Sequence, residues 1–156
     1  MPADTRVTLP GPAEILISRE LAAPPAMVYR AWTTPELVRR WWSGGRGEVV
    51  SIDIDLRPGG AWRYVLREPG GSLVAFRGEY REIVPGERIV STEILETRPG
   101  AEALTTVTFT EAGGGTQLAI LVRYASTADR DEHARYMRDG LTDAMDLLEQ
   151  VAGGER

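Results

Sequence analysis

Three observations in the sequence predict an α+β fold, a seven-stranded antiparallel sheet covered by one long C-terminal helix. Between Glu48 and Tyr124, apolar residues recur at every second position, in short runs separated by Pro-Gly and Gly-Gly clusters. That is the pattern of hairpin-linked strands with one dry and one wet face. From Asp129 to Val151 the spacing changes to steps of three and four, through His133, Met137, Gly140, Leu141, Ala144, Met145, Leu148 and Val151, the period of an amphipathic helix. Nothing else is long enough to cover the strands, so the sheet is expected to bury its apolar face against this helix. As one helix the stretch would run ~34 Å at about 1.5 Å per residue, the width of a small domain.

Residues 1–13, with Pro2, Pro10, Gly11 and Pro12, read as a flexible N-terminal arm. Glu14 to Leu21 alternates as a first strand, with Ile15 and Ile17 on one face and Arg19 sharing it by spacing. Pro25 to Trp32 reads as a short helix, since proline is tolerated in a first helical turn. Thr34-Pro35-Glu36 opens a second short helix that runs to about Trp41: a cap, a first-turn proline, then an acid that suits the helix dipole. Val50, Ile52, Ile54 and Leu56 then mark a strand. Trp62, Tyr64 and Leu66 mark the next, and Val74, Phe76, Gly78 and Tyr80 a third. Glu87 to Leu95, Leu104 to Thr110, and the run through Leu118, Ile120, Val122 and Tyr124 complete the set. The glycine clusters lie between strands and open no helix, so they are hairpin turns rather than phosphate loops. Asp129 with Glu132 looks like a capping box, and Gly153-Gly154 supplies the stop. A single domain over 14–151 and a short tail at 152–156 follow.

Composition removes many functions. The net charge of -5 argues against nucleic acid as a partner. No apolar run approaches the ~18 residues of a membrane span, and residues 1–12 carry no apolar leader core, so membrane insertion is not expected and the cytoplasm is. The chain has no Cys, and its 18 basic residues are all Arg. Thiolate nucleophiles, Cys-bound zinc, Schiff bases and the P-loop lysine are therefore out of reach. One histidine, His133, builds no His cluster, so no metal site and no cofactor are expected. Asp53, Asp55, Glu79 and Glu82 invite a paired-carboxylate reading, but they alternate with apolar residues beside Arg57, Arg77 and Arg81, as cross-strand surface pairs do.

The stretches VYRAWTTPELVRRWW (28–42), DLRPGGAWRY (55–64), FRGEYREIVPGERIVST (76–92) and VTFTEAGGGTQL (107–118) resemble the Hsp90-ATPase-activator-homologue-like family. That family lies within the START/Bet v 1-like, or polyketide cyclase and lipid transport, superfamily. The resemblance implies a helix-grip fold, a curved sheet gripping the C-terminal helix with a cavity between them. It also implies a hydrophobic or amphipathic small molecule as partner, and in a minority of relatives cyclase, dehydratase or hydrolase activity. Two departures stand out. The family's co-chaperone namesake engages Hsp90 through a separate N-terminal domain, which this chain is not expected to have. Many relatives carry Gly-Trp in the last helix, where this chain has Gly140-Leu141.

On this reading the ligand wall is Trp62, Tyr64, Phe76, Tyr80, Phe109, Ile120 and Tyr124 from the sheet, with His133, Met137 and Leu141 from the helix. Packing explains any single member of such an aromatic stripe; a mostly apolar pocket with a few placed polar groups explains the set. Gly140 in mid-helix suggests close approach or space, and Gly78 in mid-strand a bend or bulge. Glu93 and His133 are the candidate acid–base pair. Glu93 points inward if it shares the parity of Ile89 and Ser91, but the opposite parity, Val90, Thr92 and Ile94, is equally apolar. Ligand binding is the leading expectation. A cofactor-free enzyme in the same pocket is the alternative, and a protein-interaction domain anchored by Trp41 and Trp42 is the third. A homodimer is compatible with each.

Overall fold

The computed structural model describes residues 5–137 and 140–154, with 135–137 described by backbone alone. The strands are β1 (Arg6–Thr8), β2 (Glu14–Leu21), β3 (Glu48–Ile54), β4 (Ala61–Arg67), β5 (Leu73–Val84), β6 (Arg88–Leu95), β7 (Ala103–Ala112) and β8 (Gly115–Arg123). The helices are α1 (Pro25–Thr33), α2 (Pro35–Trp41), α3 (Thr127–Met137) and α4 (Leu141–Ala152). The strands form one eight-stranded sheet in the order β1-β2-β8-β7-β6-β5-β4-β3, antiparallel throughout. The strand beyond the expected seven is β1, three residues inside the stretch read as a loose arm, pairing with β2. Among the described residues no helix is long and apolar enough to cross a membrane.

The corner between α1 and α2 is built by one residue. Thr34 is extended, donates its N–H to the Arg30 carbonyl and accepts from Leu37 and Val38. It therefore ends one helix and begins the next, with Pro35 at the first helical position. The Thr34 side chain makes no capping bond, so the backbone alone does the capping.

Period-two patterning becomes a concave inner face. Ile15, Ile17, Arg19 and Leu21 of β2, Val107 and Phe109 of β7, and Leu118, Ile120 and Val122 of β8 are all buried. Two irregularities interrupt the pattern on the other half. A register shift between Val49 and Ser51 turns Val50 outward, where it is exposed, while Val49 packs on the core. Leu56, read as the end of that strand's apolar face, lies beyond β3 and is also exposed. A second shift falls between Tyr80 and Glu82, after a gap in the β5–β6 ladder. In that gap side chains replace backbone partners. The Trp62 indole donates to the Thr92 carbonyl (3.2 Å) and the Glu79 N–H to the Thr92 hydroxyl (2.9 Å). Gly78 makes this possible, since a Cβ there would sit 1.9 Å from the Thr92 oxygen and 2.6 Å from the indole nitrogen. The mid-strand glycine is thus the bend that its position suggests.

The C-terminal stretch corrects the single-helix reading. It is two helices, α3 and α4, and Gly140 is the non-helical N-cap of the second. Its approach to the Ser43–Arg46 loop is close: a Cβ on Gly44 would lie 2.7 Å from the Gly140 oxygen. The N-terminal cap also sits earlier than Asp129. The Ser126 hydroxyl accepts the Asp129 N–H (3.1 Å), so Ser126 is the cap and Asp129, at the third helical position, its first-turn acid. α4 alone carries the apolar stripe, burying Ala144, Met145, Leu148, Val151 and Ala152 against α1 and α2. Arg19 fixes its far end. The guanidinium, 3% exposed, meets Asp146 at 2.7 Å and Glu149 at 3.3 Å. Glu149 also accepts the Ala22 N–H at 2.8 Å.

Candidate functional site

Between the sheet and α2 and α4 lies a cavity of about 560 Å³, within the size range of ligand pockets. Its walls are aromatic. Trp32, Trp41 and Trp42 come from the short helices and the residue after them, Trp62 and Tyr64 from β4, and Phe76 and Tyr80 from β5. The rings pack edge to face: Trp42 lies 5.2 Å from Tyr64 and 5.6 Å from Phe76, and Trp62 lies 4.9 Å from Tyr64. Ile120 and Val122 from β8 and Leu141, Ala144 and Met145 from α4 complete the apolar surface. The polar lining is sparse: Ser91 and Glu93 of β6, Thr105 of β7, His133 of α3, and Ser43, Arg46 and Glu68 from loops.

The inward parity on β6 is Ile89, Ser91 and Glu93, so the carboxylate faces the cavity. It also faces a smaller cavity of about 130 Å³ beneath α3, lined in addition by Tyr124, Arg98, Asp129 and Glu132. Glu93 and His133 belong to both spaces and stand between them. The Thr105 hydroxyl donates to one Glu93 oxygen at 3.4 Å, and the His133 Nε2 lies 3.9 Å from the other. The Tyr124 hydroxyl is hydrogen-bonded to His133 Nδ1, so carboxylate, imidazole and phenol stand in a row in which the imidazole–phenol contact alone is a hydrogen bond. Arg98 bridges Asp129 (3.4 Å) and Glu132 over the outer side of the small cavity. Burial pushes the phenols of Tyr64, Tyr80 and Tyr124 well above the ordinary tyrosine range, and the Glu93 charge adds to the shift at Tyr64 and Tyr124. All three remain hydrogen-bond donors at neutral pH. Among the described residues no group of three or more acidic or His side chains is placed to hold a metal.

Of the expected wall, Trp62, Tyr64, Phe76, Tyr80, Ile120, His133 and Leu141 line the main cavity. Tyr124 lines the smaller one. Phe109 lines neither and packs edge to face on Tyr29 (5.5 Å) and Trp32 (6.1 Å). The side chain of Met137 lies outside the described residues. The exposed anchor of Trp41 and Trp42 is corrected. Trp41 is 4% exposed and donates to the Ala31 carbonyl at 3.0 Å, and Trp42 is turned into the cavity. Ser91 and Thr105 share the inward parity of Ile89 and Val107, whereas Trp32, Trp41 and Trp42 are wall residues that strand parity does not reveal. Their signal was the pair of short helices, whose apolar sides needed a partner that only the open half of the sheet supplies.

A curved antiparallel sheet closed by a C-terminal helix over an internal cavity defines a helix-grip protein of the START/Bet v 1-like superfamily. The family pattern "Activator of Hsp90 ATPase homolog 1-like protein" matches residues 22–153, and the chain belongs to that family. A crystal structure from Rhodobacter sphaeroides superposes with a TM-score of 0.88 at 24% identity, covering 97% of this chain and 99% of that one; at such identity the likeness bears on the fold. A protein from Chromobacterium violaceum is 30% identical (TM-score 0.78, covering 91% of this chain and 98% of that one). One from Rhizobium leguminosarum is 32% identical (TM-score 0.71, covering 99% and 100%). No curated protein matches the chain.

Proposed function

We propose that this protein binds a hydrophobic or amphipathic small molecule in the main cavity. The observation that carries the reading is the cavity's make-up: about 560 Å³ walled by seven aromatic side chains, with a few polar groups on β6, β7, α3 and the loops. Rings held by backbone pairing and edge-to-face packing lose little freedom when a ligand arrives, which favours binding. The setting we assign is the cytoplasm. The test is native mass spectrometry on protein purified gently from its own host. A stoichiometric adduct of about 200–500 Da, a typical mass for a ligand of such pockets, is expected. An exclusively ligand-free mass, together with no uptake from a panel of apolar compounds, would refute the reading.

A second reading is favoured by the Glu93–His133–Tyr124 row, which gives the same cavity an acid–base couple. On this reading Glu93 removes a proton next to a carbonyl group and the imidazole N–H steadies the oxygen. NMR in deuterated water would follow exchange of such a hydrogen in a bound aromatic ketone. Exchange that E93Q and H133Q both leave unchanged would eliminate it. The inward packing of Trp41 and Trp42 favours both cavity readings over a tryptophan-anchored protein contact.

A further inference from the structure

Glu93 stands where its neighbours across the sheet are the smallest possible. Ala103 pairs with it on β7. Continuing the Arg77↔Ile94 pairing by one residue brings Gly78 to its level on β5. Two positions to either side of Gly78, Phe76 and Tyr80 turn their rings into the cavity. The carboxylate thus has small residues beside it on both strands, with the Trp62 indole lying over Gly78 and the rings of Phe76 and Tyr80 lining the same cavity.

Its electrostatic partners differ from those of the protein's other acids on these strands. Glu82 is met by Arg88 at 2.7 Å and Glu96 by Arg63 at 2.8 Å. Glu93 has the Thr105 hydroxyl at 3.4 Å and an imidazole nitrogen at 3.9 Å, beyond hydrogen-bond range. The other imidazole nitrogen is taken by the Tyr124 hydroxyl. Arg46 lines the main cavity from the loop after α2, and Arg98 of the smaller cavity is held by Asp129 and Glu132; among the described residues Glu93 makes no ion pair with an arginine. A carboxylate in a largely apolar cavity is costly without a counter-charge. Aromatic faces attract cations in the same place.

We propose that the cavity is built for an amphipathic cation: an apolar or aromatic body carrying a protonated amine, which Glu93 receives as counter-ion within the ring wall of Phe76 and Tyr80. This rests on the ligand-binding reading and adds the charge of the ligand to it. The test is isothermal titration calorimetry near neutral pH with three matched probes, naphthylethylamine, naphthylethanol and naphthylacetate, on the wild-type chain and on E93Q. The amine should bind wild type about tenfold or more tightly than the alcohol, and the carboxylate weakest. In E93Q the amine should fall to within about twofold of the alcohol, a loss of ~1 kcal/mol or more. Equal binding of amine and alcohol to wild type, or a preference that survives E93Q, overturns the charge assignment while leaving the cavity reading in place. Binding by none of the three overturns both. Should E93Q fail to fold, the wild-type comparison decides alone.

Discussion

The two halves of the sheet share one strand chemistry and reach opposite ends with it. In the half built from β2, β8 and β7, the ladders run unbroken from Glu14↔Arg123 to Leu21↔Thr116 and from Leu104↔Arg123 to Ala112↔Gly115. Helix α1 lies against β7 and β8 and its rings cover Phe109, while Ile17, Thr105, Val107, Ile120 and Val122 of this half still line the cavity. In the half built from β6, β5 and β4, the ladder is interrupted at Gly78 and shifted near Arg81, and the inner rings face open space. Regular pairing and close cover accompany each other, and so do bending and a cavity. A phenylalanine is core on β7 and wall on β5 for that reason alone.

The comparison can be broken most forcefully from the packed side. Leu148, fully buried on α4, should cost about 2–5 kcal/mol when cut to alanine. Trp42→Ala, on the open side, should cost less than the ~3–5 kcal/mol usual for a packed aromatic. Urea unfolding of the two variants compares them directly, and equal losses would erase the distinction. Arg19→Ala strips a buried cation from two carboxylates. Asp146 is half exposed, so the loss belongs at the low end of the about 3–5 kcal/mol for a broken buried pair. Gly78→Ala tests the bend itself. The added methyl displaces the Trp62–Thr92 hydrogen bond, and we expect about 1–3 kcal/mol of destabilisation with weakened ligand uptake. Unchanged melting would show that the gap is wide enough without a glycine.

The smallest effect is a matter of pH. Tyr64, Tyr80 and Tyr124 hold their protons in the folded state above the ordinary tyrosine value, whereas the unfolded chain releases them near it. Their contribution is therefore complete below about pH 10 and declines as pH rises towards the folded values, by up to ~1.4 kcal/mol per pH unit for each group. Denaturant midpoints between roughly pH 9 and 11 should show this alkaline loss, and Tyr124→Phe should remove one group's share of the slope. A slope unaffected by that substitution would place the alkaline sensitivity elsewhere.

Most of the fold was legible because period two, period three-to-four and Pro-Gly punctuation agreed with one another along the chain. The missed features are those where such patterns carry no signal. β1 is three residues long, too short for alternation to register. The joint between α3 and α4 kept the helical phase, since Leu141, Ala144 and Leu148 extend the spacing set by His133 and Met137. Glu93 was ambiguous because Val90, Thr92 and Ile94 satisfy a buried pattern too, and Thr92 is in fact buried, with its polar atoms filling the ladder gap. Phe109 illustrates the limit of parity, which assigns a face of the sheet but not whether a helix covers that point.

All four tryptophans of the chain, Trp32, Trp41, Trp42 and Trp62, line the same cavity. The protein's ultraviolet emission is therefore a property of one wall. Trp32 and Trp41, with ring centroids 4.7 Å apart, are close enough to couple as an exciton pair in near-ultraviolet dichroism. An occupant changes the surroundings of the indoles it meets, so the unlabelled chain is its own optical gauge of whether the cavity is filled.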